Sequence, residues 1–218
     1  MKKSSFFSAK RITGLAVLLA LVIVLQSFGS YFVLPTGTPL SFVLVPIVLA
    51  GLLYGPVEGG LVGFAFGVVV VIQGLMGVDL FTEAMLAEQP IATIFLCLIK
   101  GTAAGVVAGC LYRIVRKKNR YVGVFTAAAA APIVNTGLFI LGALCFLQEA
   151  IRNTNASITG FGGGSMIYYL VIVVAGINFL VEFAINLLLA PTLYRAANII
   201  EGKFDNSKNY IIDDEENV

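Results

Sequence analysis

The sequence predicts an all-α membrane protein: a bundle of six transmembrane helices with both the N-terminus and the C-terminus in the cytoplasm. Of its 218 residues, 59% are apolar and only 12% are charged, against roughly 25% charged in a soluble domain. The charges are clustered, so long apolar segments lie between them and must face lipid. About 20 apolar residues are enough for a helix to cross a hydrocarbon core of about 30 Å.

Six apolar segments define the predicted helices. In chain order they are Ile12 to Leu34, Leu40 to Tyr54, Val57 to Met76, Ile91 to Val115, Val122 to Leu147 and Ile167 to Tyr194. The first follows a basic patch, as in a signal peptide, but it is longer and no A-x-A site follows it, so we interpret it as a retained helix. The second is short, and Gly55-Pro56 predicts a tight hairpin between the second and third helices.

These segments divide the chain into three parts. Residues 1–11 form a cytoplasmic N-terminal segment, residues 12–197 form the six-helix transmembrane domain, and residues 198–218 form a polar cytoplasmic tail. The tail ends in a run of acidic residues, and we predict that it is disordered.

The basic residues set the predicted orientation. With the N-terminus in the cytoplasm, the basic run Arg113–Arg120 and the later residues Arg195 and Lys203 fall on the same side, whereas the opposite connections are mainly acidic. The outward connections are then Pro35 to Pro39, Gly77 to Pro90 and Gln148 to Ser165. The glycines of Gly160–Gly164 permit large backbone changes, so the last two connections are either lids or plain linkers.

Several classes of function lack the residues they need. There is no histidine, which removes most hydrolase triads and the histidine-containing zinc motifs. Cys97, Cys110 and Cys145 lie singly in apolar segments, as small hydrophobic residues do. We therefore predict no enzymatic activity, no metal and no cofactor. The net charge of +2 averages a basic side and an acidic tail, so it gives no reason to expect a nucleic-acid partner.

Small residues at four-residue spacing predict close helix packing. They form one row in the third helix and one in the fourth: Gly59, Gly63, Gly67 and Gly101, Gly105, Gly109. Such rows let helix backbones approach closely in lipid. Ala16 and Ala20 have the same spacing in the first helix, where they either pack internally or form a groove for a helix of another subunit.

Polar side chains within the apolar segments are the candidate binding residues, because they are costly in lipid and usually face a cavity or a partner. The set is Lys100, Asn135, Asn178, Glu182 and Gln73. The first three are expected to line one pocket, and Glu182 follows Asn178 on the same helix face.

The roles of two of these residues stay open. Lys100 suits a ligand that carries a carboxylate, but an ion pair with Glu182 would compensate its charge equally well. Gln73 is either a donor at the rim of the pocket or a partner for a loop.

With these features the sequence resembles an S component of an energy-coupling factor (ECF) transporter, the substrate-binding membrane subunit of a bacterial vitamin importer. The resemblance covers about residues 8–197. It rests on the six-helix plan, on Ala16-x-x-x-Ala20, on the run from Pro46 to Pro56 followed by Glu58 to Gly63, and on Lys100 to Gly105.

The resemblance implies a division of labour in the bacterial plasma membrane. The six-helix domain would bind a vitamin or related micronutrient near its outer face, while Ala16 and Ala20 dock on a transmembrane coupling subunit. Two ATPase subunits would supply the energy, and this chain itself has no G-x-x-x-x-G-K-[ST] phosphate loop.

The substrate is inferred from fewer residues. Lys100 favours an acidic vitamin, with pantothenate first and folate or riboflavin next. Aromatic residues near the outer end either enclose the ligand or form the interfacial belt: Phe42, Phe139, Phe161, Tyr168 and Tyr169. The alternative function is a self-sufficient, proton-coupled secondary transporter in which Glu182 and Lys100 titrate as a pair.

Overall fold

The computed structural model describes residues 9–32, 41–149 and 175–216. Within these ranges the chain forms seven helices and no strand, so the all-α class is confirmed. They are α1 Ala9–Gly29, α2 Leu44–Leu53, α3 Pro56–Leu75, α4 Leu80–Glu88, α5 Pro90–Val115, α6 Arg120–Phe146 and α7 Ile177–Glu216. The proposed lid segment Gly160–Gly164 and the connection Pro35–Pro39 lie outside the described residues.

Five of the described helices are long and apolar enough to cross a membrane: α1, α3, α5, α6 and the Ile177–Ile200 part of α7. Helix α2 has 10 residues, which at 1.5 Å per residue is about 15 Å, or half of a hydrocarbon core. The second predicted span is therefore shorter than expected, because residues 41–43 are not helical and Gly55 ends the segment. A multi-pass membrane protein is confirmed, but the count of six spans is not.

Large apolar side chains cover the outside of the bundle. Val17, Leu61, Phe95 and Leu188 are each more than half exposed. A water-soluble protein rarely carries so continuous an apolar surface, whereas lipid is its natural solvent. The core of the bundle is apolar. It includes small alanine side chains of α5 and α6 together with the ring of Tyr112.

The two glycine rows meet where α3 crosses α5. A Cβ atom added to Gly59 would lie 2.6 Å from the carbonyl oxygen of Gly105, and one added to Gly67 would lie 2.5 Å from that of Cys97. Helix α3 makes its most extensive contacts with α5. The predicted close packing is therefore confirmed, and it fixes the position of Lys100 beside this crossing.

The hairpin between α2 and α3 also forms as predicted. Gly55 has a φ of 121° and Pro56 occupies the first turn of α3, a combination that suits glycine and proline respectively. Arg11 of α1 forms an ion pair with the buried carboxylate of Glu58 and also donates to the carbonyl oxygen of Tyr54 at 3.4 Å. These contacts hold α1 against the hairpin.

Helices also form in two segments that lie outside the predicted transmembrane helices. The connection Gly77–Pro90 contains α4, which Asp79 caps by accepting a hydrogen bond from the backbone N–H of Thr82 at 3.0 Å. Helix α7 runs on through residues 198–216, the segment predicted from the sequence as a polar cytoplasmic tail. No proline follows Pro191 to interrupt it.

Candidate functional site

A cavity of about 80 Å³ lies among the helices at the end of the bundle that carries α4. Lys100, Asn135, Asn178 and Glu182 all line it. Three helices contribute these four side chains, since Lys100 belongs to α5, Asn135 to α6 and the other two to α7. Four of the five residues selected from the sequence thus lie together in the structure.

Gln73, the fifth selected residue, lies behind the cavity wall. Its Oε1 accepts a hydrogen bond from Nε2 of Gln26 at 2.8 Å, and Gln26 lines the cavity. Both amides are buried. Gln73 therefore orients a residue of α1 toward the cavity, and its backbone carbonyl accepts from the N–H groups of Val78 and Asp79 in the following loop at 2.9 and 3.3 Å.

A short chain of hydrogen bonds orients the α7 side of the cavity. The backbone N–H of Ser41 donates to Oδ1 of Asn178 at 3.3 Å, and Nδ2 of Asn178 donates to Oε1 of Glu182 at 3.3 Å. Because a backbone N–H can only donate, the Asn178 amide must turn its oxygen toward Ser41 and its NH₂ group toward Glu182.

The side chains of Ser41 and Asn135 lie beside the Glu182 carboxylate, but neither forms a well-aligned hydrogen bond with Oε2. The Glu182 side chain is 1% exposed, and within the described residues Oε2 has no hydrogen-bond partner. Asn186, one turn further along α7, donates to the backbone carbonyl oxygen of Glu182 at 2.8 Å instead of reaching the cavity.

Lys100 faces the ring of Phe139. Its Nζ atom lies 5.2 Å from the ring centroid, within the range of a cation–π interaction. Among the described residues, no ion pair joins Lys100 directly to Glu182. Both groups line the same cavity, so a ligand between them has access to each charge.

Asp79 is a cavity residue that the sequence analysis did not select. It is 5% exposed, and Thr82 donates to both of its oxygens, from the backbone N–H at 3.0 Å and from Oγ1 at 2.6 Å. Burial raises the pKa of Asp79, while the Thr82 hydrogen bonds and the positive charge of Lys100 act in the opposite direction. The Asp-x-x-Thr capping pattern was the available signal.

The remaining residues that line the cavity are partly polar and partly aromatic. Gln26, Ser41 and Thr82 add polar groups that were not selected from the sequence, and Phe66, Phe81 and Phe139 add rings. Of the aromatic residues named from the sequence, Phe139 lines the cavity, and Phe42 packs on Phe28 with ring centroids 6.4 Å apart. Phe161, Tyr168 and Tyr169 lie outside the described residues.

The sequence model of a family described as ECF transporter, substrate-specific component, matches residues 10–194. The chain belongs to this family. The match includes every cavity residue described above, so the resemblance inferred from the sequence is confirmed. Comparisons with curated proteins and with solved structures give no match. As an ECF substrate-specific component, or S component, the chain is a multi-pass membrane subunit that binds the substrate of a transporter.

The S component keeps its cavity and its basic residues apart. Lys100 lies in the first half of α5, whereas the basic run Arg113–Arg120 lies at the opposite end of that helix and in the turn to α6. The cavity therefore lies toward the end of the bundle opposite the basic run.

Proposed function

We propose that this S component captures a vitamin or related micronutrient from outside the bacterial plasma membrane in the cavity around Lys100 and Glu182. The observation that supports it is the convergence of four polar side chains from α5, α6 and α7 on one cavity. Polar groups inside a membrane protein are costly unless they serve a partner or a ligand. Their convergence is better explained by a ligand than by packing.

The cavity holds a head group, not a whole vitamin. Its volume is about 80 Å³, whereas sites for small molecules usually measure about 300–1,000 Å³. A complete vitamin therefore exceeds the volume of this cavity and would extend beyond it. Lys100 is the group that would receive a carboxylate, as in pantothenate, the first candidate from the sequence, or in folate; riboflavin would use the amides.

Equilibrium binding of labelled vitamins to the purified full-length protein in detergent tests this function. We expect one vitamin to bind, and we expect Lys100→Met to weaken a carboxylate-bearing vitamin by at least about tenfold. Lys117→Met, at the exposed basic turn, is the matched control and should have no effect. Failure of every carboxylate-bearing vitamin would remove the role of Lys100.

Reconstitution of the purified protein into vesicles separates an S component from a secondary transporter. In vesicles that contain only this chain, we expect binding without accumulation, because the energy comes from a coupling subunit and two ATPase subunits. Accumulation driven by a proton gradient would favour the alternative in which Glu182 and Lys100 titrate as a pair.

Docking on the coupling subunit is assigned to Ala16 and Ala20. Both are exposed on α1, whereas Leu18 and Val22 on another face are buried. Exposure argues against the internal packing considered from the sequence, and it supports a flat surface for a partner helix. Within the membrane, two helices associate closely where small residues let their backbones approach. A contact between α1 and a helix of the coupling subunit would be of this kind.

Replacing these alanines tests the docking proposal. We expect Ala16→Leu or Ala20→Leu to abolish co-purification with the coupling subunit and the ATPases while vitamin binding persists, since a leucine side chain would hold the two helices apart. Ala87→Leu makes the same change at an exposed position of α4 and should leave assembly intact. Unchanged assembly in both α1 variants would refute the assignment.

A further inference from the structure

Among the described residues, the lining of the cavity carries more acidic than basic side chains. Asp79 and Glu182 contribute two carboxylates, with exposures of 5% and 1%, and Lys100 contributes one ammonium group. No other charged side chain is described in the lining. With all three groups ionised, the formal charge of the described lining is therefore −1.

The unpaired hydrogen-bonding atoms of the cavity also favour a ligand that carries donors and positive charge. Oε2 of Glu182, Oδ1 of Asn135 and Oε1 of Gln26 are buried and have no hydrogen-bond partner among the described residues. All three residues line the cavity, and all three atoms are acceptors. Ser41 Oγ, also unpaired, can accept or donate.

Unpaired buried acceptors call for donors from the ligand. Buried polar atoms in proteins are nearly always hydrogen-bonded. Water can serve the acceptors while no ligand is bound, but a ligand that displaces this water must supply equivalent hydrogen bonds or lose affinity. A group that carries several N–H donors, and preferably a positive charge, satisfies both the acceptors and the excess carboxylate.

We propose that the substrate of this S component presents a protonated amine or an amino-substituted nitrogen heterocycle to Glu182 and Asn135, with an oxygen acceptor or carboxylate directed at Lys100. The proposal rests on the proposed function, because it assumes that the transported nutrient occupies this cavity. It ranks cationic and zwitterionic vitamins above a purely anionic one such as pantothenate.

Asp79 acts as a specificity-determining residue in this arrangement. Thr82 uses one acceptor position on each Asp79 oxygen, and each carboxylate oxygen has a second. Asp79 also lies close enough to Lys100 to interact with its charge. The negative charge of Asp79 therefore offsets part of the positive charge of Lys100. This increases the preference of the cavity for a positively charged head group.

One structurally matched pair of probes and one pair of opposite charge test the proposal on the purified full-length protein by isothermal titration. Pyridoxamine and pyridoxate share a ring and differ in an aminomethyl group against a carboxylate, and thiamine and pantothenate form a second pair of opposite charge. We expect the cationic member of at least one pair to bind at least about tenfold more tightly than its partner. Mass spectrometry of any compound retained through purification should reveal a basic nitrogen or an amino heterocycle.

Variants then assign the preference to the carboxylates. Glu182→Gln should reduce binding of the cationic probe by at least about tenfold, and Asp79→Asn should reduce it while keeping the acceptor that caps α4. Glu83→Gln, an exposed acid of α4, is the control and should change nothing. Size-exclusion chromatography and thermal unfolding confirm that each variant is folded.

The outcomes separate this inference from the proposed function. If an acidic vitamin without a basic nitrogen binds best, or if cationic binding ignores both carboxylate variants, the inference is overturned while vitamin capture stands. If neither these probes nor labelled folate or riboflavin binds and no small molecule is retained, both the inference and the proposed function are contradicted.

Discussion

The Asp79 side chain caps helix α4, but its burial disfavours the ionised form of the carboxylate. Its oxygens accept from Thr82 and so cap α4, but the side chain is removed from solvent, and burial raises its pKa above the ordinary value of 3.8. A carboxyl group with a raised pKa stabilises the fold at acidic pH, and this contribution is lost as the pH rises through the pKa of the folded state.

Asp79→Asn should therefore be at least as stable as the wild-type protein at pH 7 when no ligand is present. The asparagine oxygen still caps α4, and the buried charge is gone. We expect the unfolding midpoint to rise by up to about 4 °C at pH 7 and the difference to shrink as the pH falls toward 4. Glu83→Gln, an exposed acid of the same helix, should show no such trend. A less stable Asp79→Asn at pH 7 would contradict the prediction.

At the scale of residues, the sequence revealed those groups that stand out against their neighbours. Lys100, Asn135 and Glu182 interrupt apolar segments, so the cost of placing them in lipid identifies them. Asp79 and Ser41 adjoin the connections between helices, where polar residues are ordinary and carry no such signal. Only the fold, which turns α4 onto the bundle, brings Asp79 to Lys100.

Helix α4 shows why short elements escape sequence analysis. It has 9 residues, fewer than the 10 to 12 over which helical periodicity becomes convincing. Its Phe81 and Met85, four residues apart, form a small core with Ala143 and Leu147. Such a contact depends on α6 being nearby and leaves little trace in the local sequence. For α2 the sequence predicted too long a helix instead of missing one. The apolar segment runs from Leu40 to Tyr54, but the helix covers only Leu44–Leu53.

The crossing of α3 and α5 should be sensitive to a single methyl group. A Cβ at position 63 would overlap the carbonyl of Gly101, next to Lys100, so the two helices would have to separate. We expect Gly63→Ala to destabilise the protein by about 1–3 kcal/mol and to weaken vitamin binding, as measured by thermal unfolding and equilibrium binding.

Gly137 provides the matched control for this crossing. It lies within α6, and an added Cβ would meet no atom within 4 Å. Gly137→Ala should be neutral or stabilising by up to about 1 kcal/mol, because alanine favours a helix more than glycine does. Equal effects of the two substitutions would show that the crossing tolerates separation.

For the whole molecule, the described parts assign separate tasks to separate surfaces. The cavity lies at the end that carries α4, the basic turn lies at the other end, and the exposed alanines of α1 face outward from its side. A subunit that takes substrate from one side and hands it over through a partner needs these surfaces to be distinct. The charge pattern then decides which end faces the cytoplasm.

Labelling of single cysteines tests the orientation. In a variant whose Cys97, Cys110 and Cys145 are replaced by alanine, Glu88→Cys marks the cavity end and Lys118→Cys marks the basic turn, and both positions are exposed. Basic residues are retained in the cytoplasm during insertion, so a membrane-impermeant maleimide should label position 88 in intact cells and position 118 only after permeabilisation. The reverse pattern would open the cavity to the cytoplasm and exclude uptake from outside. Labelling of both positions in intact cells would show that the chain inserts in two orientations, and the basic turn would then not determine the topology.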